Sequence, residues 1–289
     1  AERQYVEDGV AQNIRADGRE REAFRRVEVE LGCVEQASGS ARVRVGATEV
    51  VAGVKVEIGT PPETYPHLGR IKCSVELTGS AAVAYEGRSG EDRSASLAAM
   101  LERSLAGGPS GAGAAVDLER LSIVTGRSCW ILNVDLVLLS DDGDALYALS
   151  LAAKLALGDA RIPKVEVSNP GGAEEAAEMT LDDDPAACWQ LGTERVPVVV
   201  VLSQVGRRHF VVDATADEEA HRRAGVAVAV TPAGTVAATR TLAGAVEAGT
   251  LREMLAAGKR LAAELHRALD AHLAKAHHKA DAQPYELWT

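Results

Sequence analysis

The sequence predicts an α+β fold, pseudo-duplicated along the chain, and three observations carry that prediction. Residues 27–31, 41–45, 50–58 and 71–77 alternate apolar with polar side chains, the pattern of antiparallel strands with one wet face. Residues 128–163, SCWILNVDLVLLSDDGDALYALSLAAKLALGDARIP, pass from a nearly continuous apolar run to apolar residues at helical spacing, a strand, turn and helix in succession. The order then recurs: strands at 164–167, 196–204, 209–212, 226–230 and 235–239 precede a long amphipathic helix at 250–275. Two like halves of sheets packed against helices follow, at 26–163 and 164–275, with an extension at 1–25 and a tail at 276–289.

Taken in order, residues 5–14 have the pattern of a short helix, and Arg15-Ala16-Asp17-Gly18-Arg19 reads as a turn flanked by solvated charges. Gly46-Ala47-Thr48 joins two strands, and residues 59–69, with Pro61, Pro62 and Pro66, form a loop. Residues 85–93, YEGRSGEDR, read as a self-compensating charged loop. Leu97, Leu101 and Leu105 stack along a helix over 94–105. The stretch 107–115, GGPSGAGAA, has the composition of a flexible surface insertion, and 116–124 leads into the central strand.

That strand ends in Asp141, Asp142 and Gly143; Asp144 is placed to cap the next helix and Gly158 to end it. Such a corner can hold a phosphate, because free backbone N–H groups and the helix dipole point there. The excursion at 169–185 includes Asp182-Asp183-Asp184, a charged loop rather than a cation site, since three adjacent acids cannot all face one ion. Gly206 turns one hairpin, and Asp213 and Thr215 stand where they cap a short acidic helix.

Composition narrows the functional classes. The 289 residues, 46% of them hydrophobic, are enough for a substantial core. No apolar run approaches the roughly 20 residues needed to span a bilayer. The first residues lack a secretory apolar core, so a soluble, intracellular protein without membrane contact is expected. Cys33, Cys73, Cys129 and Cys188 are widely spaced and read as reduced residues rather than a disulfide or zinc framework. The net charge of −11 argues against a surface that grips nucleic acid everywhere and leaves open a local basic lining, and 3% aromatic residues leave few platforms for stacking bases. His266, His272, His277 and His278 lack metal-ligand spacing and read as a solvated helix end and frayed tail. The glycine-rich stretches at 107–113 and 169–172 lack nucleotide-binding spacing, and no cofactor or metal is expected.

Five segments together carry a resemblance: RADGR (15–19), SGSARVRVGATEVVAGVKVEIGTP (38–61), CWILNVDLVLLSDDG (129–143), RIPKVEV (161–167) and HFVVDATADEEA (209–220). They resemble the ribonuclease PH family over about residues 2–275, and the last four together most closely resemble its exosome ring subunits. The resemblance implies an RNase PH-like fold, with one half like domain 2 of ribosomal protein S5 and a second ββαβα-type half. It implies partners: other RNase PH-like subunits in a six-membered ring, cap subunits with S1 and KH folds, hydrolytic exosome nucleases, and RNA in the central channel. It also implies 3′-to-5′ RNA processing and decay, including rRNA maturation and mRNA decay, and residence in nucleus, nucleolus and cytoplasm.

The same resemblance tests for catalysis. Active members attack the terminal phosphodiester with inorganic phosphate, which demands cations and N–H groups to hold it and an acid to protonate the leaving oxygen. Where they carry Gly-Thr-Arg or Gly-Ser-Arg, this chain has Asp144, Ala145 and Leu146, so a hydroxyl and a guanidinium are replaced and a carboxylate is set to repel phosphate by about 1 kcal/mol. Where they carry the acid, this chain has Gly225. Their arginine pair matches Asp92-Arg93. Arg93, with Arg88, is the candidate for guiding RNA, and a salt bridge of Arg93 to Glu86, Glu91 or Asp92 fits equally. The expectation is a non-catalytic ring subunit of the exosome core. The alternative is an active phosphate-dependent exoribonuclease, alone or through a site shared with a neighbour. An RNA-binding module acting alone is disfavoured by the acidic balance.

Overall fold

The computed structural model describes residues 2–79, 81, 85, 87–168, 178–181, 187–278 and 285–286. After α1 (Glu2–Ala11), the strands β1 (Val27–Leu31), β2 (Gly39–Val45) and β3 (Thr48–Gly59) form an antiparallel meander, with Val27 opposite Val45 and Val43 opposite Val50. Their alternate residues are buried, as a sheet with one wet face requires. β4 (Arg70–Leu77) is separated from β5 (Ser122–Val124) and β6 (Ser128–Ser140) by α2 (Arg88–Ala106). That helical crossover lets β4 lie parallel to β6, while β3 runs antiparallel on the other side of β6.

α3 (Ala145–Asp159) is the hub. Every residue from Ala145 to Gly158 is buried. A helix apolar all round has to be covered all round, and α3 packs on β2 and β3 on one side and on β11 (Val198–Val205) on the other. Gly39 permits the close approach: a Cβ there would lie 2.4 Å from the Ala160 Cα and 2.6 Å from the Ala156 carbonyl oxygen. Gly158 does not end the helix as its residue type predicts. It lies inside the last turn, where a Cβ would come within 2.8 Å of a Leu273 methyl, so packing rather than capping explains it.

Beyond α3 come the small pairs β7 (Arg161–Ile162) with β10 (Trp189–Gln190), and β8 (Val165–Ser168) with β9 (Glu178–Leu181). β11, β12 (His209–Val212), β13 (Arg222–Val230) and β14 (Val236–Ala243) form an antiparallel sheet in the order β12-β11-β13-β14. The short α4 (Ala216–Ala220) joins β12 to β13, and α5 (Ala248–His278) covers β11 and β13. β15 (Tyr285–Glu286) pairs with β1, which modifies the expectation of a frayed tail.

Other expectations change as well. α2 begins at Arg88 behind Gly87, whose φ of 75° turns the chain in, so most of the loop expected at 85–93 is helix. The stretch 107–115 is folded rather than a flexible insertion. The Gly108 N–H donates to the Ala112 carbonyl at 2.9 Å, the Ala115 N–H to the Leu105 carbonyl at 2.8 Å, and Ala114 and Ala115 are buried. The aspartates 182–184 and the glycines 171 and 172 lie outside the described residues, as does Glu86. All four cysteines are free. Among the described residues no helix is long and apolar enough to cross a membrane.

The histidines of α5 differ most from expectation, because His266 and His272 are buried. Lys154, fully buried in α3, places its ammonium 2.8 Å from an Asp270 carboxylate oxygen and 3.0 Å from His266 Nδ1. His266 Nε2 lies 2.8 Å from the Val230 carbonyl oxygen. The ring therefore accepts at Nδ1 and donates at Nε2, and burial followed by the Lys154 charge pushes its pKa down to about 4. This network ties α3, α5 and β13 together.

Candidate functional site

The central strand delivers its acidic turn to a corner where the segment between β12 and α4 meets the start of α3. Gly143 adopts φ 89°, and a Cβ on it would sit 2.5 Å from the Ala214 carbonyl oxygen and from the Thr215 carbonyl carbon. Glycine alone lets the segment after β12 lie on this turn. The contact is locked by the Ala216 N–H, which donates to the Asp142 carbonyl at 3.1 Å, and by Thr48, whose hydroxyl donates to the Gly143 carbonyl at 2.9 Å.

Asp213 organises the corner. It is fully buried, holds a positive φ of 49°, and sits between three arginines of the N-terminal extension and β1 approach. Arg25 reaches its carboxylate at 2.7 Å through Nη2 and continues to the Asp142 and Gly143 carbonyls at 2.7 and 3.0 Å. Arg19 donates to the same carboxylate at 3.0 Å. Arg15, 3% exposed, donates to the Asp213 carbonyl at 2.8 Å and binds Glu218 through Nε at 2.8 Å and through Nη2. The arginines of RADGR are thus a buried clamp and not the solvated turn that their local composition predicts. Nothing local marks this, because their partners lie about 200 positions away. Asp213 does not cap α4; Thr215 does, in a capping box with Glu218.

Asp144, Ala145 and Leu146 face a cavity of about 160 Å³ at the start of α3, lined also by Arg93, Arg222 and Arg240. Asp144 stands at the N-cap position in a left-handed conformation, φ 55°, yet makes no capping bond. It is 2% exposed and neither carboxylate oxygen has a hydrogen-bond partner. Burial first, then Asp213 and Glu219, push its pKa well above the ordinary carboxylate range, against Arg222 and Arg25. The direction bears on the expected electrostatics: burial favours the uncharged form of this acid, which weakens the repulsion of phosphate read from the sequence.

The arginines around the cavity are engaged. Arg93 lies 3.7 Å from Asp141 and 3.9 Å from Glu219, with its guanidinium 5.1 Å from the Tyr85 ring centroid. These partners replace Glu91 and Asp92, which the sequence offered. Arg222 pairs with Glu219, and Arg240 with Ser96. Gly225 lies on β13 between Ser203 and Ala243, and a Cβ there would be 2.8 Å from the Arg222 side chain. The position that the resemblance matched to the acid therefore lies under the stem of an arginine. Arg88 is exposed at the start of α2. Sequence reasoning missed Arg222 and Arg240, although Arg222-Arg223 so near Gly225 was a usable signal. Among the described residues no cluster of His, Cys, Asp and Glu could hold a metal ion.

Comparison with known proteins identifies the family. Residues 23–163 match the model of the RNase PH 3′ exoribonuclease family, domain 1. The exosome complex component Rrp42 of Pyrococcus abyssi is 32% identical over 217 residues, covering 75% of this chain and 74% of that protein. The putative exosome complex exonuclease RRP42 of Dictyostelium discoideum is 31% identical, covering 78% and 82%. Among solved structures, a chain of the Archaeoglobus fulgidus exosome with RNA bound to the active site superposes with a TM-score of 0.75 at 29% identity, covering 92% of this chain and 96% of that one. A chain of an archaeal exosome core gives 0.72 at 28% identity, covering 93% and 96%. This chain belongs to the RNase PH family, alongside the Rrp42 exosome components.

Proposed function

We propose that this chain is a catalytically silent, ring-forming subunit of an exosome core, supporting 3′-to-5′ RNA processing and degradation by completing the ring and lining the RNA channel. The observation that carries the reading is the corner at α3. Phosphorolysis needs unpaired cations and a proton donor poised over a terminal phosphate. Here Arg93 and Arg222 are paired with acids of the same chain, Arg240 is bonded to Ser96, Leu146 is apolar, and the stem of Arg222 packs over Gly225. What the corner retains is structural: Asp213 and its arginines join the halves and hold the fold that a ring neighbour would bind. Other RNase PH-like subunits and S1/KH cap subunits are the proposed partners.

The test uses the chain assembled with an RNase PH-like partner, single-stranded RNA and inorganic phosphate, reading release of nucleoside diphosphates. Release unchanged by Glu219→Gln and Asp144→Asn in this chain is the expected result. Loss of release in either variant, with the assembly mass unchanged, would establish instead the alternative, in which this chain contributes to a composite active site.

A further inference from the structure

We propose that the groove beside α1 docks a polypeptide segment of a partner protein, one that carries an apolar anchor residue between lysines or arginines. The groove has a volume of about 470 Å³ and runs between α1 and the approach to α4. Its floor is formed by Val6, Gly9 and Val10. On its walls stand the two most exposed large apolar side chains among the described residues, Tyr5 at 70% and Ile14 at 61%.

The exposed carboxylates give the rim one sign of charge. Glu2, Asp8 and Asp217 are exposed carboxylates without an ion-pair partner among the described residues. Arg15 lines the inner wall but is buried, its guanidinium spent on Glu218 and on the Val212 and Asp213 carbonyls. His221 also lines the groove, with Nδ1 2.7 Å from the Asp217 carbonyl oxygen. An apolar floor under an acidic rim attracts a basic segment and repels RNA and acidic chains.

α1 itself is thinly packed, resting on β11 and β12 through Val10 and Val6. At 10 residues it is shorter than the roughly 12–15 at which helices hold in water. Its buried contact is a small cluster of Val10 with Val205, Val211 and Ala214. An apolar anchor seated between Tyr5 and Ile14 supplies the missing contact, and flanking cations meet the rim. The proposal does not depend on whether the corner at α3 is silent.

The experiment measures fluorescence polarisation with the full chain and labelled five-residue peptides that alternate lysine or arginine with Leu, Ile, Phe or Trp. Glutamate-substituted peptides and a single-stranded RNA oligomer run in parallel. At least one basic peptide is expected to bind saturably. Ile14→Lys and the pair Asp8→Lys with Asp217→Lys should each weaken it by about tenfold or more, while Val34→Lys, 38% exposed on the other half, leaves it unchanged. All four substituted residues are at the surface, and circular dichroism verifies that each variant is folded. Absence of saturable binding by every basic peptide, equal binding of RNA or acidic peptides, or indifference to the groove substitutions would each overturn the proposal.

Discussion

Replacing Arg25 by methionine should loosen the joint between Asp213 and the turn at Asp142 and Gly143, and its cost can be worked from the contacts. Arg25 is 8% exposed and Asp213 fully buried. The substitution removes donors to Asp213 at 2.7 and 3.1 Å and one donor each from the Asp142 and Gly143 carbonyls, at 2.7 and 3.0 Å, which keep the Ala216 N–H at 3.1 Å and the Thr48 hydroxyl at 2.9 Å. Removing one partner of a buried ion pair costs about 3–5 kcal/mol, because the remaining charge stays desolvated. Asp213 retains Arg19 at 3.0 Å and the Arg25 backbone N–H at 2.6 Å, which places the expectation near the low end, about 3 kcal/mol. Against a total of about 5–15 kcal/mol, that is a large fraction. With a urea slope of about 3 kcal/mol/M, the unfolding midpoint falls by about 1 M. A cycle with Asp213→Asn separates the pair from mere loss of packing: the double variant should cost less than the sum of the singles by about 2 kcal/mol. A single-variant cost below about 1 kcal/mol, or strict additivity, would refute the joint as described.

Two predictions concern protons. His266 titrates at about 4 in the fold against an ordinary 6.5, so unfolding takes up a proton between those values. Its stabilisation, about 3 kcal/mol, is fully present above pH 6.5 and is lost as pH falls toward 4. His266→Gln should flatten that limb of a melting-temperature profile, and an unchanged limb would show that other groups cause it. Asp144 behaves in the opposite sense, because its raised pKa makes folding bind a proton once pH exceeds the unfolded value. Asp144→Asn should therefore raise the melting temperature at pH 7 and lose that advantage below about pH 4; equal melting temperatures at pH 7 would contradict a buried acid whose pKa is raised.

Much of the fold was legible from pattern. The strand Val27–Leu31 and the start of the helix at Ala145 follow from period-2 and period-3.6 spacing, and those signals are local. The candidate corner was legible only in part. Asp144, Ala145, Leu146 and Gly225 stood out against the family pattern, but the state of Asp144 did not, since its pKa is set by burial and by charges arriving from β12 and α4. The buried His266 was missed for the same kind of reason: its helix position is polar-looking, and its partner Lys154 lies 112 residues away on another helix.

Amino-acid order alone determined where most of the long strands and helices run, because each is read from neighbours a few positions apart. It also determined which chemical groups the corner lacks, since no folding restores a guanidinium to Leu146 or a carboxyl to Gly225. Tertiary structure decided what the charged residues do. Arg15, Arg19 and Arg25 became a buried clamp, Arg93 was turned onto Asp141 and Glu219, and Asp144 was driven toward its neutral form. The reason is that desolvation and Coulomb energy depend on distance through space, which the chain sets only when its ends are brought together.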